Sequence, residues 1–274
     1  MLERFEFNMK LSVSNIAWPA EHDEEMYRFL SDNGFFGLEI APTRIFPNDP
    51  YDKLVEAEAF SKRMAEAYGI SVSSMQSIWY GVAESIFDND VNRQKLVDYT
   101  KKAVDFAKAL NCRNLVFGCP RNRAVPPDTA LDKYLPIAYD FFDKIGSYAA
   151  DNGTSISIEP NPPIYNTNFI NKTAEAFDIC KKLNNPGIKV NIDLGTMIHN
   201  TESIEILKDN IDLINHIHIS EPYLAPIEKR MLHRELSNEL RNLKYSKYLS
   251  IEMGNPNNID LVKDAVLYVK ELCL

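Results

Sequence analysis

The residues of this chain best suited to chemistry are four acidic or imidazole side chains in its second half. Each lies at or near the end of a short run in which aliphatic and polar residues alternate, the periodicity of a half-buried strand. They are Glu159 in SISIE, Asp193 in KVNID, His218 in NHIHIS and Glu252 in LSIE. Pro160 follows Glu159 directly and cannot donate to a strand ladder, so that run ends at its carboxylate. The pattern predicts one polar side chain at the carboxyl tip of each of four successive strands.

These four tips predict a metal site. Adjacent strands lie about 4.8 Å apart, so inward-pointing tips on consecutive strands can converge on one ion. Three carboxylates and one imidazole suit manganese, magnesium or cobalt better than a structural zinc, and zinc is the remaining option. The competing interpretation is four unrelated polar residues at loop starts. Their matching positions at the strand ends favour one divalent metal ion.

The remainder of the chain alternates between strand-like and helix-like stretches. Four further alternating runs lie at 10–15, 37–41, 70–76 and 114–118. Helical spacing or helix-end signals occur at 21–34, 51–69, 91–110, 129–150, 172–183, 204–210, 235–243 and 261–272. Eight strand and helix units in alternation predict an α/β fold, a (β/α)8 TIM barrel forming a single domain over residues 1–274. A doubly wound sheet is the alternative, but no GxGxxG or P-loop follows the first strand.

The composition of the chain argues against several classes of protein. The chain has 274 residues and a net charge of −9, without the basic stripe expected of a protein that binds nucleic acid. No segment approaches the roughly 18 continuous apolar residues of a membrane helix, and MLERFEFNMK lacks the apolar core of a signal sequence. The four cysteines form no CxxC and are typical of reduced thiols. We therefore expect a cytoplasmic protein without nucleic acid or membrane partners.

The strand-tip motifs resemble those of the xylose-isomerase-like sugar phosphate isomerase/epimerase superfamily. The matching metal-site motifs are IEPNP around Glu159, NIDLGT around Asp193, HIHISE around His218 and SIEM around Glu252. LEIAPTRIFP, MQSIWYG and VFGCPRNR are similar to its second, third and fourth strand motifs, so the resemblance runs the full length of the chain. It implies one divalent cation on those four residues and a sugar or sugar phosphate as substrate.

The resemblance also implies an isomerase or epimerase in which Glu159 and Glu252 are the acid/base groups. A metal that chelates a ketone and its neighbouring hydroxyl acidifies the C–H between them and stabilises an enediolate. One carboxylate removes the proton, and the other returns one on the opposite face. Two alternatives stay open: a dehydratase on the same scaffold, and a barrel that binds metal without catalysis. Substrate identity, phosphorylation and oligomeric state also stay open.

The sequence departs from the superfamily pattern at several positions. Many relatives carry a histidine three residues after the sixth-strand aspartate, where this chain has Thr196, and we expect His199 to be a surface residue. An arginine shortly after the seventh-strand histidine is not evident in SEPYLAPI. The abasic-site endonuclease branch has histidines at the third and fourth strand tips, which here end in Gln76 and Cys119. These residues and the acidic charge argue against the nuclease.

Further polar residues near the strand ends are candidate substrate ligands. Glu39 and Gln76 end their strands and are predicted to bind sugar hydroxyls, or else to bond each other. Asn161 and Tyr165, in the loop after Glu159, are predicted to bind substrate as well. His216 shares its parity with the metal-site histidine, and we expect a hydrogen-bonding residue below the metal.

Arg123, His233 and three aromatic residues complete the predicted site. Arg123 in the RNR motif is predicted to hold a phosphate or carboxylate, with a surface ion pair as the alternative. His233 begins the seventh predicted helix and either covers the site or caps that helix. Trp18, Trp79 and Tyr80 follow strands and form either an apolar wall for a sugar face or ordinary packing.

Overall fold

Eight parallel strands close into a barrel in the order in which they occur along the chain. The computed structural model describes residues 9–127 and 130–273. The strands are β1 Lys10–Ser14, β2 Gly37–Ile40, β3 Ser71–Met75, β4 Leu115–Phe117, β5 Ile156–Ile158, β6 Ile188–Asp193, β7 Ile214–Ser220 and β8 Tyr248–Glu252. The predicted (β/α)8 TIM barrel is confirmed.

Helices connect the strands and surround the barrel. They are α1 Asp23–Asp32, α2 Pro42–Ile45, α3 Leu54–Tyr68, α4 Asp90–Ala109, α5 Leu135–Asp151, α6 Thr173–Leu183, α7 Leu194–Asn200, α8 Met231–Asn242 and α9 Ile259–Cys273. Residues 1–8, on which most of the signal-sequence prediction falls, lie outside the described residues. So does Thr129, the predicted start of the helix that is observed from Leu135 onward.

One predicted helix is misplaced. The sequence pattern placed a helix at 204–210, but the structure has only a short 3-10 turn there, Ile204–Leu207. The helix of this unit is α7, which begins directly after β6 because the side chain of Asp193 accepts the backbone N–H of Thr196 as an N-cap. Gly195 lets this first turn approach the next strand, since a Cβ there would lie 3.0 Å from the backbone of Glu221.

The two faces of the strands have opposite chemistry. The aliphatic residues, such as Val13, Val190 and Ile217, belong to one apolar cluster with helix residues including Leu30 and Phe141. They therefore face outward, where helices cover them. The alternation noted in the sequence is the alternation between this apolar layer and the barrel interior.

The barrel interior is polar and internally hydrogen-bonded. Ser12 of β1 and Ser73 of β3 meet at 2.6 Å although their strands are not neighbours, which requires both to point inward. Asn114 donates to Ser74 at 2.9 Å and accepts from Ser157 at 2.5 Å. Buried polar groups are retained when they have such partners. A polar interior can accommodate charged side chains at the carboxyl end of the barrel.

Strand register places polar residues of neighbouring strands side by side. Asp193 of β6 pairs with His218 of β7, and Ser220 of β7 pairs with Glu252 of β8. A one-residue slip would turn a whole set of side chains to the other face. Register therefore decides whether these residues can meet.

A bulge corrects the register between β6 and β7. Val190 pairs with Ile214, while its neighbour Asn191 pairs with His216, so that Asn215 is an extra residue on β7. Bulges of this kind re-aim side chains and are common beside active sites. After Asn215, the residues of β6 and β7 pair in a constant register, so that Asp193 lies beside His218.

Candidate metal centre and active site

The four predicted ligands meet at the carboxyl end of the barrel. Nδ1 of His218 lies 3.0 Å from Glu159 Oε1, 3.1 Å from Glu252 Oε2 and 4.0 Å from Asp193 Oδ2. One ligand atom from each residue lies within 4.8 Å of the others, and all four side chains are buried. Three buried carboxylates this close repel one another unless positive charge lies among them. The donor set therefore fits a divalent cation.

Glu159 is held by hydrogen bonds on both carboxylate oxygens. Oε1 accepts from Asn191 Nδ2 at 2.8 Å, and Oε2 accepts from Asn161 Nδ2 at 3.1 Å. The Arg123 guanidinium donates to the backbone carbonyl of Glu159 at 2.9 Å, which fixes the main chain as well. Burial opposes ionisation, but the hydrogen bond and charge of His218 outweigh it and lower the pKa of Glu159. Glu159 is thus an ionised carboxylate of fixed direction.

Asp193 joins β6 to α7. Its Oδ1 accepts from the backbone N–H of Thr196 at 2.6 Å, and its Oδ2 accepts from Ser220 Oγ at 2.5 Å. Burial, with the charge of Glu159 adding to it, raises the pKa of Asp193 to about 6. The carboxylate is oriented by its own neighbours before any cation binds.

His218 is oriented from below by Glu39. Its Nε2 lies 2.9 Å from Glu39 Oε2, and His216 Nε2 lies 3.0 Å from the same oxygen. An Nε2–H donated to Glu39 leaves Nδ1 available for a cation. Burial opposes protonation, but the charges of Glu252 and Glu39 outweigh it and raise the pKa of His218 well above its ordinary value. Without a cation, a proton on Nδ1 supplies the positive charge among the carboxylates.

Glu252, the last residue of β8, is held less tightly than Glu159. Among the described residues, its carboxylate has one polar partner, Nδ1 of His218. Burial raises the pKa of Glu252 to about 7, with Glu159 and Asp193 adding to the rise and His218 opposing it. The two glutamates are therefore electrostatically different. Without a cation, Glu159 stays ionised, whereas Glu252 exchanges a proton near neutral pH.

A small cavity of about 190 Å³ opens in front of these carboxylates. Gln76, Asn161 and Tyr165 line it together with Glu159, Asp193 and Glu252. Gln76 is held by a bond from its Nε2 to Ser14 Oγ at 2.7 Å. The Tyr165 hydroxyl accepts the N–H of Tyr223 at 2.7 Å, and burial raises its pKa to about 12, so it remains a neutral donor. All three residues line the cavity, and their contact with a substrate stays a prediction.

The sequence profile described as "Xylose isomerase-like TIM barrel" matches residues 27–272. The chain belongs to this family. No curated protein matches the sequence. Solved structures with similar folds include 3-keto-D-glucoside 4-epimerase from E. coli, at 19% identity and a TM-score of 0.79, covering 96% of this chain and 100% of that one.

Other similar structures within the same fold have different activities in their names. L-ribulose 3-epimerase matches with 14% identity and a TM-score of 0.75, over 97% of this chain and 92% of its own. A family 2 AP endonuclease from Brucella melitensis matches with 17% identity and a TM-score of 0.72, over 91% and 94%. At such identities the likeness shows the shared fold. Within the described residues, no helix has the length and apolar character needed to span a membrane.

Three predicted substrate ligands lie away from the cavity in this xylose isomerase-like barrel. Glu39 lies below the ligand set and contacts His218 rather than a substrate or Gln76. Arg123 is fully buried and bonds Asn161 and backbone carbonyls, so it forms neither an anion site nor a surface ion pair. His233 packs between α8 and α9, with Nδ1 3.2 Å from the Tyr268 hydroxyl. Burial excludes direct substrate contact for Glu39 and Arg123.

Several residues around the site were not predicted. Asn191 and Ser220 share the inward parity of Asp193 and His218, and that parity was the signal that could have found them. Glu221 lines the cavity and is buried, where it is bonded through Oε1 to Nε of Arg230 at 2.7 Å and through Oε2 to Nη2 at 2.6 Å. No sequence pattern connects residues 221 and 230, because a loop brings them together.

The departures from the superfamily pattern have structural explanations. The Thr196 hydroxyl donates to the carbonyl of Pro160 at 2.9 Å and so ties α7 to the tip of β5. His199 is exposed, as predicted. Trp79 is buried and donates to Thr100, which is ordinary packing. Tyr80 is 72% exposed, so the three aromatic residues do not form one wall.

Proposed function

We propose that this protein is a divalent-metal-dependent sugar isomerase or epimerase in which Glu159 and Glu252 are the acid/base groups. The observation that carries the proposal is the pair of buried glutamates, which reach one imidazole from β5 and β8 and carry opposite pKa shifts. Catalytic acids and bases are recognised by environments that push the pKa values of two groups apart. The epimerase names among the structural neighbours agree with this reading.

The residues suit transfer of a proton at a carbon beside a ketone. Glu159, ionised and held by two asparagines, is the base that removes the C–H proton. Glu252, which reaches the same imidazole from β8, is the group through which a proton returns to the other face of the enediolate. A cation held by these residues would supply positive charge to the negative oxygens of the enediolate. Reversal of the two roles gives the reverse reaction.

The ligand set would hold the cation through Glu159, Asp193, His218 and Glu252. Its oxygen-rich chemistry favours manganese, magnesium or cobalt. The cavity lining contains no lysine or arginine among the described residues, and Arg123 is buried behind it. A neutral sugar therefore fits the cavity better than a phosphate placed beside the metal. We expect the reacting part of the substrate to be an unphosphorylated ketose or keto sugar.

The test combines metal analysis with proton exchange. Purified protein loaded with Mn²⁺ or Mg²⁺ is incubated in D₂O with a panel of ketoses and keto sugars, and NMR follows deuterium entry beside the ketone. Glu159→Gln and Glu252→Gln should each lower turnover by about 10²-fold or more, because glutamine cannot accept the proton. Glu235→Gln, an exposed site on α8, is the control.

Three outcomes separate the alternatives. Deuterium at the carbon beside the ketone, with an epimer or isomer as product, supports the proposal. Loss of a hydroxyl from the product would identify a dehydratase instead. A glutamine variant with full metal content and near-normal turnover would leave that glutamate as a ligand only, and the proton chemistry would belong to another residue.

A further inference from the structure

A second and larger cleft lies on the same face of the barrel. Its volume is about 780 Å³, and the loops after β1, β2, β3 and β8 form it together with α4. The proposed metal ligands come from β5 to β8, whereas this cleft lies mainly on the β1 to β3 side of the mouth and takes only Asn255 from the loop after β8. Its lining includes Ile16, Thr43, Tyr51, Tyr80, Tyr99 and Asn255.

The cleft meets the small cavity in front of Glu159, Asp193 and Glu252, here called the metal cavity, at Ser77, which lines both. Ser77 is exposed and has a left-handed backbone conformation, with a φ of +52°. Its Oγ donates to Gln76 Oε1 at 3.0 Å, and Gln76 is in turn bonded to Ser14. The junction is therefore held in place from within the barrel. A molecule that occupied both spaces would pass over Ser77.

The metal cavity and the cleft differ in the size of the ligand that each can hold. Ligand pockets commonly measure about 300–1,000 Å³. The metal cavity, at about 190 Å³, is below this range, whereas the cleft, at about 780 Å³, lies within it. The cavity alone suits the reacting part of a compact sugar. Together the two spaces have room for a substrate with a second part.

The chemistry of the cleft favours a neutral, hydroxylated ring. Tyr80 lies just past the junction and presents an exposed aromatic face, the kind of surface on which sugar rings pack. Both cations in the described lining are paired: Arg44 Nη2 lies 2.6 Å from Asp23, and Lys102 Nζ lies 3.0 Å from Asp52. A phosphate or carboxylate group would find no uncommitted cation among these residues.

We propose that the substrate is a keto sugar carrying a second sugar ring, with the keto unit at the metal cavity and the second ring in the cleft beside Tyr80. This inference rests on the proposed function, since it assigns the substrate class of the same site. The second ring supplies binding energy remote from the reacting carbon, which raises kcat/KM for the two-ring substrate.

The test compares one-ring and two-ring ketoses. The probes are D-fructose and two disaccharides that contain a free fructose unit, isomaltulose and lactulose, each followed by deuterium exchange in D₂O. For at least one disaccharide, kcat/KM should exceed that for D-fructose by about tenfold. Thr43→Trp, which fills the cleft, should remove that preference. Tyr80→Ala, an exposed substitution that leaves folding unaffected, should reduce it by about threefold to tenfold.

The matched control is Phe36→Ala. Phe36 is 53% exposed and directly precedes β2, at the opposite end of the barrel. The preference should be the same in this variant as in the unsubstituted protein. An equal kcat/KM for fructose and both disaccharides, or variants that change all three substrates alike, would overturn the inference while leaving the proposed function intact.

A binding measurement separates the inference from the proposed function. Saturation-transfer NMR on the Mg²⁺-loaded protein should show contact with protons of the second ring, and Thr43→Trp should abolish that contact. Second-ring contact without exchange on any ketose would support the cleft and count against the isomerase. Exchange on fructose with no second-ring contact would overturn the cleft assignment.

Discussion

At the scale of single residues, three carboxylates and a histidine share one buried space, and their proton affinities are linked. Burial raises the pKa of Asp193 to about 6 and of Glu252 to about 7, while the pKa of His218 is raised by the surrounding carboxylates despite burial. Each proton reduces the repulsion that a cation would otherwise remove. Protons and a cation therefore compete for this space.

Metal binding should release protons, and the affinity for Mn²⁺ should rise with pH. The raised pKa values of Asp193, Glu252 and His218 mean that protons must leave before the ligands bind, so lower pH weakens binding. Calorimetric titration in two buffers of different ionisation enthalpy counts the protons released. Glu252→Gln should release fewer near neutral pH. Affinity that does not change across the range of about pH 5 to 8 would contradict this account.

At the scale of the elements, β2 and β7 cooperate across the barrel to orient one ligand. Glu39 of β2 reaches His218 of β7 at 2.9 Å, although the two strands are not neighbours. The 3-10 turn Pro120–Arg123 acts similarly on β5, since Arg123 holds the carbonyl of Glu159 and the side chain of Asn161. Elements remote from the ligands in sequence fix the direction of the ligands.

Glu39→Gln should weaken metal binding without unfolding the barrel. Glutamine keeps the size of the side chain, but its amide can offer an N–H to His218 and favour the wrong tautomer. Removal of such an orienting group typically costs about 10–100-fold in metal affinity. The metal dissociation constant and the melting temperature of the metal-free protein are measured together. An unchanged dissociation constant would show that Glu39 does not orient His218.

Arg123→Met should destabilise the fold, and Arg121→Met should not. The buried guanidinium of Arg123 donates to the carbonyl of Glu159 and the side chain of Asn161, and its loss leaves these acceptors unpaired at a cost of about 1–3 kcal/mol each. Arg121, in the same turn, is exposed. Thermal unfolding compares the two variants. Equal melting temperatures would mean that Arg123 is dispensable for the fold.

At the scale of the whole molecule, net charge and the shape of the barrel mouth bear on which substrates should be tested. A net charge of −9 disfavours approach to nucleic acid, whose phosphates attract basic surfaces. Gln76 and Cys119 line the cavity at the third and fourth strand tips, where a multi-metal nuclease of the superfamily would need histidines. The face that carries the metal cavity instead opens into the larger cleft.

The protein should not incise abasic DNA. The basis is the acidic charge together with the absence of histidine at those two tips, despite the shared fold with a family 2 AP endonuclease. An abasic duplex incubated with the Mn²⁺-loaded or Zn²⁺-loaded protein and resolved on a denaturing gel checks this. Catalytic incision, with many cuts per protein molecule, would assign the chain to the nuclease branch.

The sequence by itself predicted the barrel and the four polar side chains that meet at its carboxyl end. Alternation with period two is a local property, and so is a polar residue placed before a proline or at a strand end, as at Glu159 and Glu252. In a closed parallel barrel all such ends lie on one face, which is why Asp193 and His218 could be placed with them.

Only the tertiary structure showed which residues surround those four side chains. Glu39 contacts His218 across 179 positions of sequence, and Arg123 reaches Asn161 across 38, distances at which no local pattern carries information. The extra residue on β7 that aligns the ligands is likewise a property of strand pairing. Burial and the charges of neighbours then gave two glutamates opposite pKa shifts, because electrostatic energy depends on separation in space rather than along the chain.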